Sequence, residues 1–384
     1  MTSTSTAAME PGVLPSGVRS RFINGVNGLR MHVLEAGELD APCVLLLHGF
    51  PELAYSWRKI LPSLAAAGYY AVAPDLRGYG RTARRVSGFD EDLAPYRMTN
   101  RLLDALGLVA ALGRHQVALV GHDYGSWVAG YCALARPDVF TSLTLMSAPF
   151  TGAPSLAGLA ASLVAPADDP IHAGLAALAR PRKHYHGYYA TRPAASDMDG
   201  PQDQIAAFLR AYYHHKSADW AGNSPYTLSG WTAEAVAAMP TYYIMDRDQT
   251  MPEAVAPEMP ADGGASCSWL TPAELAVYAG EYARTGFQGA LQGYRGRMNG
   301  SLAQDLGLFA GRHVEVPAQF ISGAQDWGPF QGPGALYRMQ GVSCPRMGGC
   351  HLLEGAGHWV QQEQAEQVAV LLIGFLQRHP PPAA

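Results

Sequence analysis

The chain has 384 residues, 48% hydrophobic and 15% charged, with a formal net charge of −5. That length buries a full core, as one large domain or one domain carrying another. The mild acidity without a basic block argues against a nucleic-acid surface, and no apolar run approaches the roughly 20 residues of a membrane-spanning helix.

Residues 1–12 lack the basic and apolar regions of a secretory signal and read as a mobile tail, so the chain is expected to be cytoplasmic. Five scattered cysteines fit free thiols in a reducing compartment. Residues 18–24 and 29–36 read as a hairpin closed by a glycine turn. The apolar run 44–47 has the pattern of a strand buried on both faces and ends in His48-Gly49-Phe50-Pro51. A helix over 56–67, a strand over 70–73, a helix over 98–112 and a strand over 117–120 follow. Gly121-His122-Asp123-Tyr124-Gly125 comes next, then a helix to 135 and a strand over 142–146. This alternation signals an α/β fold, mostly parallel and doubly wound, over residues 13–150. It stops over 151–315, which reads as an inserted, mainly helical cap with helices at 156–164, 202–215, 232–238 and 271–283. It resumes over 316–384, with strands at 318–321 and 351–353, an irregular stretch at 327–350 and a last helix at 365–378.

Three groups stand just past strand ends, in the order that α/β-hydrolase sheets use: Asp123 in the glycine-flanked elbow, Asp326 and His358. A carboxylate is already ionised at neutral pH and attacks without a base. Its natural target is an sp3 carbon with a leaving group, which gives an ester of the enzyme. Water must cleave that ester, with neutral His358 as base and Asp326 fixing its tautomer. The backbone N–H groups of Phe50 and Tyr124 are placed to meet the oxyanion. No cofactor and no metal is called for; His184, His186, His214 and His215 lack cysteine or acidic partners at metal spacing.

The elbow, the stretch His48–Arg58 and Pro74-Asp75-Leu76-Arg77-Gly78-Tyr79-Gly80 resemble the epoxide hydrolases of the α/β-hydrolase fold. The resemblance covers about residues 20–150 and 315–378. It implies two cap tyrosines that hold and protonate the epoxide oxygen. Tyr294, in the pair Tyr294-Arg295, matches the second, although Gly293 stands where the family often has Trp. Tyr185 matches the first, with Tyr188 and Tyr189 as alternates. His48, Pro51, Trp57 and His122 are expected around the pocket with them. The implied reaction is opening of a small apolar epoxide by water to a vicinal diol, in a monomer or homodimer. Haloalkane and haloacetate dehalogenases also use an Asp nucleophile and form the alternative, but Tyr124 stands in place of a Trp or Arg beside it. A non-catalytic receptor on the same scaffold is a third possibility, opposed by the full Asp123, Asp326 and His358 set.

Overall fold

A computed structural model describes residues 7–83, 87–159, 169–298, 300 and 303–383. Two strands open the chain, β1 (Arg19–Val26) and β2 (Leu29–Ala36). The continuous apolar runs then become β3 (Cys43–Leu47), β4 (Tyr70–Pro74), β5 (Val117–His122) and β6 (Phe140–Met146). Between them lie α1 (Leu61–Ala66), α2 (Met98–Ala111) and α3 (Tyr124–Ala135). A short ribbon follows in the insertion, β7 (Arg182–His184) paired antiparallel with β8 (Ile244–Asp246). The main sheet is completed by β9 (Ala318–Gly323) and β10 (Met347–Leu353). Its order is β1-β2-β4-β3-β5-β6-β9-β10. Every pairing from β4 onward is parallel, and β2 alone runs against its neighbours. Strands β3, β4, β5 and β9 are buried along their whole length, as a sheet covered on both faces requires.

Several expectations need adjustment. The helix expected over 56–67 is a 3-10 turn, Ala54–Trp57, followed by α1. Pro62 has no N–H to continue a helix and sits instead in its first turn. The stretch 327–350 is less irregular than expected: it holds a helix at Ala335–Arg338, and β10 begins four residues early, at Met347. Gly348 and Gly349 hide that strand's pattern. At the N-terminus, Met9 is buried and its N–H donates to Ser20 Oγ at 2.8 Å, so the tail expected over 1–12 is docked by residue 9.

The insertion between β6 and β9 contains α4 (Tyr185–Tyr189), α5 (Gln202–Lys216), α6 (Pro272–Thr285) and α7 (Gln288–Met298). The expected 232–238 helix is the single turn Ala233–Val236, and the 156–164 helix runs into residues outside those described. Thr271 and Glu274 form a reciprocal capping box that fixes the start of α6. Helix α7 was not legible in the sequence because Gly289, Gly293 and Gly296 dilute its signal. The ribbon β7–β8 was missed because its strands are three residues long and lie far apart in the chain. Residues 217–270, which had no clear place, begin by bracing the core: the Ala218 N–H donates to Glu363 at 2.8 Å, just past the end of α5, where the Lys216 carbonyl accepts the His358 N–H at 2.9 Å.

Arg58 joins core to cap. It is fully buried and donates to Glu274 Oε1 at 2.7 Å, to Gln362 Oε1 at 2.8 Å and to the Trp269 carbonyl at 3.1 Å. Arg58→Met leaves Glu274 Oε1 without its donor and breaks the links to Gln362 and Trp269; it is expected to cost about 3–5 kcal/mol, read as a lower urea midpoint. An unchanged midpoint would show that the cap does not depend on this link.

Candidate active site

The elbow is built by close backbone approach. A Cβ on Gly125 would lie 2.3 Å from the Leu47 carbonyl oxygen, and one on Gly121 2.3 Å from that of Gly125. With glycine at both places the chain turns sharply, and Asp123 is held at φ 51°, ψ −118°. A non-glycine residue there stores on the order of 1–3 kcal/mol. Ser126 Oγ donates to the Gly121 carbonyl at 2.7 Å and ties the turn.

Around Asp123 the expected partners converge. The Phe50 N–H donates to Asp123 Oδ1 at 3.0 Å. Tyr124 is the first residue of α3, so its N–H is one of the unpaired donors of the first turn. His358 Nδ1 lies 3.1 Å from Asp326 Oδ1, and its Nε2 stands 3.4 Å from Asp123 Oδ2. That second approach is close enough for charge but makes no hydrogen bond, so Nε2 remains available. Asp326 also accepts from Ser322 Oγ at 2.9 Å and from the Gly328 N–H at 2.7 Å. Burial would raise the Asp123 carboxyl, but the neighbouring His358 and the Lys216 ammonium hold it well below the usual carboxylate range. Asp326 is held low in the same way, burial being outweighed by His358 and the Gly328 N–H.

The Asp123 carboxylate opens on a cavity of about 850 Å³, lined also by Tyr124, Trp127, Tyr185 and Tyr294. Tyr185 and Tyr294 pack 6.3 Å apart by ring centroids. Burial, and then the charge of Asp123, push both phenols well above their ordinary value, so both stay protonated. The β7–β8 ribbon and its flank set the first of them: the Tyr185 N–H donates to the Tyr243 carbonyl at 2.9 Å.

This arrangement has known counterparts. A family model described as alpha/beta hydrolase fold matches residues 42–365. Epoxide hydrolase B of Mycobacterium tuberculosis is 34% identical over 93% of this chain and 97% of its own length. Epoxide hydrolase A of the same organism is 32% identical over 94% and 98%. Among solved structures, an epoxide hydrolase from an endophytic Streptomyces superposes with a TM-score of 0.74 at 32% identity, over 94% of this chain and 96% of the other. Epoxide hydrolase A from Mycobacterium thermoresistibile gives 0.73 at 30%, over 96% and 100%. The chain belongs to the epoxide hydrolases of the alpha/beta hydrolase fold.

Not every residue expected at an epoxide hydrolase pocket lines this one. His48 lies beneath the loop: the Leu76 N–H donates to its Nε2 at 3.0 Å, so its Nδ1–H donates to the Gly49 carbonyl. Pro51 backs the same loop, its carbonyl accepting from Tyr213. Trp57 is wholly buried in the core. Tyr188 donates to Asp197 at 2.8 Å, and the hydroxyl of Tyr189 turns to that of Tyr212, 3.4 Å away. His122 is a support. Its Nδ1 meets Glu52 Oε2 at 2.6 Å and its Nε2 donates to the His358 carbonyl at 2.7 Å.

Glu52 was missed, because a Glu one residue past a loop motif reads as solvated. It is instead fully buried and also accepts from Gln361 and Gln362 at 2.8 and 2.9 Å. Burial would raise its carboxyl, and His122 brings it below the ordinary value. The odd Gly293 also has a physical reason. A Cβ there would meet the Tyr124 hydroxyl at 2.9 Å, so Tyr124 fills the space a larger residue at 293 would need.

These positions separate the four cap tyrosines. Tyr188→Phe and Tyr189→Phe are expected to lower epoxide turnover by less than about three-fold, and Tyr294→Phe by about a hundred-fold or more. Steady-state rates on one epoxide check this; equal losses at all four would contradict the placement.

Proposed function

We propose that this protein opens epoxides to vicinal diols through an alkyl ester on Asp123. The reading is carried by one observation: an ionised carboxylate faces the cavity with a protonated tyrosine pair on the cap side and an imidazole behind it.

Asp123 Oδ2 attacks a ring carbon, and the ring C–O bond breaks as Tyr294 or Tyr185 gives its proton to the departing oxygen. The Phe50 N–H holds Oδ1 throughout. His358 Nε2 then takes a proton from water, and the hydroxide adds to the Asp123 carboxyl carbon. The charge that builds on Oδ1 meets the Phe50 and Tyr124 N–H groups. Asp326 stabilises the imidazolium that forms. The acyl C–O bond breaks, the His358 imidazolium protonates the leaving alkoxide, the proton left on the Asp123 carboxyl returns to the tyrosinate, and the diol departs. The aromatic lining of the cavity suits an apolar body on the epoxide. Halide release has less support: Trp57 is buried in the core and does not line the cavity on which Asp123 opens.

A single turnover in heavy-oxygen water should place the label in the Asp123 carboxylate, read by mass spectrometry of its peptide, and leave the first diol unlabelled. Label in the first-turnover diol would mean direct attack by water. The two phenols lie well above their ordinary value of 10.0, so the acid form persists through that pH. The rate of ester formation is therefore expected to show no alkaline fall centred near 10. A fall with that midpoint would mean that the phenol giving the proton titrates at its ordinary value in spite of its burial.

A further inference from the structure

We infer that Arg297 anchors a carboxylate on the substrate, so that epoxides bearing an acid group are preferred to their neutral analogues. The inference rests on the epoxide reading above and names a substrate class for it.

Arg297 lies three residues beyond Tyr294 on α7, and both line the cavity. One helical turn separates them, about 5 Å along the axis. An anionic group a few bonds from the epoxide ring can therefore reach the guanidinium while Tyr294 meets the oxygen. The guanidinium is already placed. Its Cζ lies 3.8 Å from the ring centroid of Trp127, which is itself a cavity wall. Such stacking fixes the plane of the fork and leaves its edge free for a planar acceptor.

What Arg297 lacks is a counter-ion. Among the described residues no carboxylate lies within ion-pair distance of it. The groups that most favour its charge are the phenols of Tyr185, Tyr294, Tyr124 and Tyr131, and no carboxylate is among them. Arg297 is an exposed residue that also lines the cavity, so its guanidinium is within reach of a bound ligand. A carboxylate on that ligand gives it a charge-assisted partner.

The other ionisable groups of the wall do not answer it. Asp169 is engaged by the indole N–H of Trp231, 3.1 Å from Oδ2, and by the Ile171 N–H at 3.0 Å. His184 and His186 are driven neutral by burial, with the Arg297 charge adding to the effect. One unmatched positive charge calls for one negative charge, which fits a carboxylate better than a dianionic phosphate.

The test compares three epoxides: styrene oxide, its para-carboxy derivative and the methyl ester of that derivative. The acid should exceed the ester in kcat/KM by about ten-fold or more, as for a charge-assisted hydrogen bond. Arg297→Met should bring that ratio close to one, and Arg297→Lys should keep part of it. The para-carboxy diol should bind the wild-type protein by calorimetry and lose that binding in Arg297→Met. The inference is overturned by a ratio of one or less in the wild type, or by a ratio that survives in Arg297→Met. Turnover of styrene oxide assigns the failure. If it is opened while the acid is not preferred, only the carboxylate inference falls. If none of the three epoxides is opened, the epoxide reading falls and takes this one with it.

Discussion

A single buried carboxylate, that of Glu52, ties together the three loops that make the site. It accepts from the Gly49 N–H in the His48–Pro51 loop, from His122 at the end of β5 and from Gln361 and Gln362 after the His358 turn. A charge so far from water is tolerated only when its lone pairs are met. Each loop therefore supplies a donor, and each is fixed relative to the others by that requirement. The distances around Asp123 depend on this as much as on the catalytic side chains. His122 carries the constraint one step further, since its other nitrogen holds the carbonyl of His358.

The same logic of mutual fit appears in the cap. Tyr124 and Gly293 exchange bulk, the large side chain on the elbow and the small one on α7. Buried Arg101 lies over the Tyr124 ring, with Cζ 4.8 Å from its centroid. The departures from the family's usual residues at these two positions are thus one change seen from two sides.

The sheet and the elbow were legible because their signals are local. Continuous apolar runs mark strands buried on both faces, and glycines around Asp123 mark a turn where backbones touch. Asp326 and His358 could be found because both follow strands whose chain order is constrained. The cap was harder. Tyr294 was legible only through the Tyr294-Arg295 pair, since the glycines of α7 conceal its helix. The roles of His48, His122 and Glu52 were not legible, because whether a polar side chain faces a cavity or the protein interior is decided by tertiary contacts that no local pattern encodes. Arg297 escaped notice for the same reason: its place on the cavity wall is set by the packing of α7 and not by any local pattern.

The backbone bond from His358 N–H to the Lys216 carbonyl gives the cap a second standing. The insertion is not a cover resting on a finished core, because its own main chain holds His358 in place. Ala218 extends the tie through Glu363, which also accepts the N–H groups of Gly357 and Trp359. The insertion of this chain is therefore a poor candidate for modular exchange. A replacement would need to carry a carbonyl at the position of Lys216 and a donor at that of Ala218, or His358 and the turn around it would lose their support.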